Sequence, residues 1–111
     1  MKESRREDRP IDQLLAAARR GDVEALGQLL LSYRQYLVFL TRTQLHHHLQ
    51  GKADPSDLVQ EACLVAHEKL RDFRGRSTEE FASWLRSILS NILAMHVRRY
   101  FGTRKRIGVP S

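Results

Sequence analysis

Two sets of side chains in this chain have the types and spacing to do chemistry, and they lie in adjoining segments. Asp57, Gln60, Glu61, Glu68 and Arg71 fall on one side of a helix when the segment is turned at about 100° per residue, with Leu64 in their midst. Carboxylates around one large aliphatic can meet a basic partner surface and also offer it apolar contact. The competing reading is a solvated charged face with an ordinary exposed leucine. The second set is Ser83, Arg86, Ser87, Ser90, Asn91 and Arg98. Short hydrogen-bonding groups between guanidinium groups suit contact with phosphates and base edges together; a plain exposed helix face is the alternative. One acidic and one basic surface point to two macromolecular partners rather than to a substrate pocket.

Both sets need helices to position them. In the first segment Leu58, Val59, Ala62, Cys63, Val65, Ala66 and Leu70 form one broad apolar side, as on a helix packed against a core. Asp54 or Ser56 caps its start, Pro55 suits the first turn, and the early acids favour the positive end of the helix dipole. The next helix starts at Ser77 or Thr78. Ser77 and Glu80 have capping-box spacing, and Glu79 and Glu80 occupy the first turn. Phe81, Trp84, Leu85, Ile88, Ile92 and Met95 then form a continuous stripe, with Leu89 at its edge, which reads as core.

Upstream, a helix is expected from Pro10 or Ile11 to Arg20, stopped by Gly21. Another is expected over residues 23–49, with Leu26, Leu29, Leu30, Tyr33, Leu37, Leu40 and Leu45 inward. Residues 51–54 connect to the third helix and residues 72–77 form the loop before the fourth. Gly102 should loosen that last helix, leaving a basic tail. The expected organisation is a disordered charged stretch over residues 1–10, a helical domain over 11–104 and a tail over 105–111. The fold is expected to be all-α, a compact bundle of four helices.

Catalysis and metal binding find little support. His46, His47 and His48 are consecutive, so in a regular helix they point about 100° apart and do not converge on one ion. His67 and His96 lack the neighbours a triad needs, and Asp57 with Glu61 has nothing around it to suggest a buried carboxylate pair. There is no glycine-rich phosphate loop. We expect no enzyme activity, no metal and no cofactor.

At 111 residues the chain is one domain with a modest core, and its net charge of +6 suits a polyanionic partner. The single cysteine, Cys63, excludes an internal disulfide and suits a reduced cytoplasmic compartment. No apolar run approaches the ~18 residues of a membrane span, and the N-terminus has no secretion-signal stretch.

At these residues the chain resembles region 2 of the bacterial sigma-70 family, and within it the extracytoplasmic-function (ECF) group. The resemblance is carried by DLVQE at 57–61, F-R-G at 73–75, and FASWLRSILSN at 81–91 followed by arginines, in order and correctly spaced. The upstream segment, with its A-R-x-G-D turn ending at Asp22, is similar to the first helices of that domain. The resemblance implies a sigma factor domain that docks on the clamp helices, a coiled coil in the β′ subunit of core RNA polymerase. The residues that carry over are Asp57, Leu58, Gln60 and Glu61, with Leu64 and Glu68 extending the same face. It further implies that the loop Phe73, Arg74, Gly75, Arg76, Ser77 and the polar face with Arg86, Ser87, Ser90, Asn91 and Arg98 hold the non-template strand of the promoter −10 element. A base is flipped out near that loop. An anti-sigma factor is a further partner the resemblance admits.

Two departures bear on that reading. Housekeeping sigma factors carry several aromatics for strand separation where this chain has Trp84 alone, a pattern typical of the ECF group; by its phase Trp84 faces the core. Nothing in the chain corresponds to region 4, the domain that reads the −35 element; the end just past the basic tail is expected of an excised fragment, with a protein that retains only region 2 as the alternative. Two alternatives stand beside the sigma reading. One is a helical adaptor binding nucleic acid nonspecifically through residues 98–106; the other is a pure protein-interaction module.

Overall fold

The computed structural model describes residues 9–45 and 51–108, with residues 101–108 as backbone alone. Four α-helices account for nearly all of them: α1 (Ile11–Arg19), α2 (Val23–Gln44), α3 (Pro55–Lys69) and α4 (Thr78–Gly108), with a 3-10 turn over Leu70–Asp72 closing α3. No strand occurs among the described residues, so the all-α bundle is as expected.

Each connection has a local chemical cause. Arg20 ends α1 and Gly21 follows at φ 102°, a left-handed conformation that costs glycine nothing. The Gly21 N–H then donates to the Ala18 carbonyl and the Asp22 N–H to that of Ala17, both at 3.0 Å, the paired bonds of a Schellman motif. Asp22 immediately becomes the cap of α2, accepting from the Ala25 N–H at 3.1 Å. The cap of α3 is Asp54, whose carboxylate accepts from the Ser56 N–H at 3.0 Å, while the Ser56 hydroxyl is taken by Arg34. The cap of α4 is Ser77: its hydroxyl accepts from the Glu80 N–H at 3.0 Å and the Glu80 carboxylate accepts from the Ser77 N–H at 3.1 Å. That is the complete capping box.

The core draws on all four helices: Leu14 and Leu15, Leu29 and Leu37, Leu58 and Val59, Phe81, Leu85 and Leu89. Ala17, Ala18, Ala25, Ala62 and Ala66 are also buried, and their small side chains let the helix backbones approach. Thr41, the one buried polar side chain among the described residues, donates its hydroxyl to the Leu37 carbonyl at 2.8 Å and is thereby satisfied. Ile88 and Ile92 lie inward as the periodicity requires. Leu89, expected at the edge, is fully buried, and Trp84 and Met95 are only partly so.

Two helix ends differ from expectation. α2 stops at Gln44, not at residue 49, because Leu45 adopts extended backbone and turns its side chain into the core. The histidines at 46–48 lie outside the described residues, as do residues 1–8 and 109–111 of the expected termini. α4 passes through Gly102 without loosening and continues to Gly108. A mid-helix glycine costs only about 1 kcal/mol relative to alanine. The residues beyond it, Arg104, Lys105 and Arg106, are good helix formers of the charge that suits a helix C-terminus.

Candidate functional site

The acidic residues of α3 are displayed as its periodicity requires. Asp57, Gln60 and Glu68 are exposed and Leu64 stands 54 % exposed among them. Leu58 is different: it is only 3 % exposed, and the apolar phase that put it inward overrides its place in the DLVQE segment. Its side chain packs beneath the acidic face, in the core. Glu61 is half-exposed because its Oε1 lies 3.2 Å from His96 Nε2 on α4, so one carboxylate of this face is tied across the helix interface.

Leu64 also has company that helical phase alone did not disclose. Together with Gln60, Cys63 and His67 it forms one wall of a groove of about 210 Å³, whose other wall is Gly27, Leu30, Leu31 and Arg34 of α2. Leu31 is 66 % exposed. The aliphatic in the acidic face is thus part of a two-helix apolar strip. Leu31 was missed because its partner lies on another helix. Half-buried Cys63 at the groove floor is held protonated, as burial pushes its thiol up.

The loop between α3 and α4 is held in a defined shape. Phe73 turns inward, 5 % exposed, and meets Phe81 edge-on at 5.5 Å and Trp84 at 5.3 Å. Gly75 is required by space: a Cβ there would lie 2.7 Å from Glu80 Cβ and 2.8 Å from Phe73 Cζ. Arg19, at the end of α1, donates to the carbonyls of Phe73 and Gly75 at 3.1 and 2.7 Å. Its guanidinium also lies 5.3 Å from the Phe73 ring centroid. Arg74 and Arg76, on either side of Gly75, are exposed. The Ser77 hydroxyl is engaged in the cap. Glu80 accepts from the N–H groups of Arg76 and Ser77, and these bonds hold its carboxyl below the usual range.

Along α4, Arg86, Ser87, Ser90, Asn91 and Arg98 are all exposed, within an arc of roughly 140° at 100° per residue. Arg86 is not free to roam, since its Nη1 donates to the Tyr36 hydroxyl of α2 at 3.1 Å. Trp84 packs on both Phe73 and Phe81, at 5.3 and 5.6 Å, and is half-buried at the edge of that aromatic cluster rather than at its centre. Among the described residues no group of three histidine, cysteine, aspartate or glutamate side chains is placed to hold a metal, and no helix is long and apolar enough to cross a membrane.

The family described as sigma-70 region 2 matches residues 32–100, from the middle of α2 through the loop into α4. The chain belongs to the sigma-70 region 2 family. No curated protein and no solved structure matches it. Region 2 of a sigma factor binds RNA polymerase and recognises the promoter −10 element in transcription initiation, and the two faces described above lie within the matched segment. Arg19, which shapes the loop of this region 2 domain, lies upstream of the match.

Proposed function

We propose that this region 2 domain works as an ECF-type sigma module with its two tasks on two helices. Asp57, Gln60, Glu61, Leu64 and Glu68 of α3 dock on the clamp-helix coiled coil of the β′ subunit: the carboxylates face basic side chains there and Leu64, with Leu31 beside it, supplies apolar contact. Arg74 and Arg76 of the loop, with Arg86, Ser87, Ser90, Asn91 and Arg98 of α4, hold the non-template strand of the −10 element. Arginines neutralise phosphates while serine and asparagine reach base edges. Flipping one base out of the stack costs a few kcal/mol, offset by contacts near the loop. Ser77 serves the site mainly as the cap that fixes where the loop ends. The reading places the protein in the bacterial cytoplasm, with an anti-sigma factor as a competitor for the same faces.

The observation that carries this reading is the loop of residues 73–77, which Arg19 and Gly75 hold in one shape between an acidic helix and a basic one. Equilibrium binding to core RNA polymerase tests it. Glu61→Lys is expected to weaken binding by ~2–5 kcal/mol, the loss typical when a close interfacial charge pair is broken, with the fold retained because Glu61 is half-exposed. Undiminished polymerase affinity would remove the α3 face from the interface.

A further inference from the structure

The outer side of α2 carries two exposed aromatic rings that neither task uses. Phe39 is 61 % exposed and Tyr36 39 %, and their three-residue separation makes them neighbours on the helix surface. Exposed Arg42 follows Phe39 at the same spacing. A lone exposed ring is ordinary, but three observations set this pair apart. Tyr36 accepts the hydrogen bond from Arg86, so the rings adjoin the polar face of α4; the Leu31–Leu64 groove instead lies where α2 meets α3. Residues 25–53 contain no aspartate or glutamate, exposed Arg42 stands one turn from Phe39, and Arg86 is bonded to Tyr36, which suits the two rings to a polyanion. Finally, the ring that α4 itself contributes, Trp84, is taken up by Phe73 and Phe81.

We propose that Tyr36 and Phe39 form a stacking platform for unpaired bases flanking the −10 element, carrying the DNA path from α4 across to α2. The proposal rests on the assignment of α4 to the −10 strand. Bases freed from the duplex expose their π-faces, and an aromatic side chain accepts any of them, so the platform holds the opened strand without selecting its sequence. Arg86 and Arg42 lie beside the rings to meet the phosphates, which makes the contact salt-dependent.

The test uses the chain with single-stranded non-template −10 oligonucleotides, either minimal or extended by four unpaired nucleotides on one side or the other, read by fluorescence anisotropy. One of the two extensions is expected to tighten binding roughly 5- to 150-fold, the range of a base–aromatic stack. Phe39→Ala should abolish that gain and leave the minimal oligonucleotide and the thermal midpoint unchanged; Phe39→Trp should retain it. A 2-aminopurine in the extension should be quenched on binding the wild type and not Phe39→Ala. No gain from either extension, or a gain that survives in Phe39→Ala, overturns the platform while leaving α4 in place. Failure of the wild type to bind even the minimal oligonucleotide overturns the α4 assignment and the platform with it. A Phe39→Ala protein that loses core-polymerase affinity and keeps the extension gain assigns the patch to a protein partner instead.

Discussion

Arg19 and Gly75 are 56 residues apart, yet the Nη1 of one donates to the carbonyl of the other at 2.7 Å. The same nitrogen reaches the Phe73 carbonyl at 3.1 Å, so a cation at the end of the first helix sets the backbone of the loop before the last. The Schellman turn at Gly21 directs α1 back along α2 and thereby fixes where Arg19 projects. Removing the guanidinium leaves two carbonyls without their charged donor. Arg19→Ala is therefore expected to cost about 1.5 kcal/mol, the low end for bonds to a charged group because Arg19 is itself exposed. Denaturant unfolding measures that loss. Single-stranded −10 DNA binding should fall as the loop loosens, while core-polymerase binding through α3 stays as it was.

Trp84 is held by two rings, which makes its main role packing. Trp84→Ala should destabilise by roughly 3 kcal/mol, the lower end of the range for large aromatic truncations, since part of the ring is already exposed. Its emission should be blue-shifted in the folded protein and move to the red on unfolding. A red emission in the native state with an unaltered melting temperature would make it a free ring available to DNA.

The capping box carries a pH signature. Bonds from the Arg76 and Ser77 N–H groups hold the Glu80 carboxyl below its ordinary value of 4.5. A carboxyl with a lowered folded-state pKa contributes stability that is fully present above 4.5 and is lost as pH falls through the lower folded value. The stability difference between wild type and Glu80→Gln should accordingly be constant near neutrality and shrink only below that point. Thermal melts taken from neutral to strongly acidic pH follow it, and a difference that stays flat throughout would show that the cap holds no special charge.

Asn91 and Arg98 lie on the same exposed arc of α4 but are expected to act differently. Asn91→Ala should narrow the affinity gap between −10 sequences, because an amide reads base edges. Arg98→Ala should weaken all sequences alike and reduce the salt slope by about one unit, the behaviour of a phosphate contact. Equal losses from both, with no sequence dependence, would reduce the face to a nonspecific basic patch.

Much of the architecture follows from local chemistry. The 3.6-residue period of α4 is enough to send Phe81, Leu85, Ile88 and Ile92 inward and to leave Ser87, Ser90, Asn91 and Arg98 outside. Likewise Ser77 and Glu80 carry their cap in their spacing, and Gly21 with Asp22 writes a helix stop and start in two residues. These features depend on residues within a turn or two of one another, so the sequence alone is sufficient to express them. Leu58 likewise points inward by its phase, and it is buried.

What required the tertiary structure is every relationship between helices. Arg19 with the Phe73–Gly75 loop, Glu61 with His96, Tyr36 with Arg86 and Leu31 beside Leu64 join residues far apart in the chain. Such contacts depend on the crossing of helices and on which rotamers their packing leaves, neither of which a periodicity contains. The same holds for helix ends. α2 ends where Leu45 turns to extended backbone with its side chain still buried, and α4 runs past Gly102 because a cost of about 1 kcal/mol is too small to break it. Local sequence therefore determined which face of each helix is polar, and packing decided which of those polar groups remain free to meet a partner.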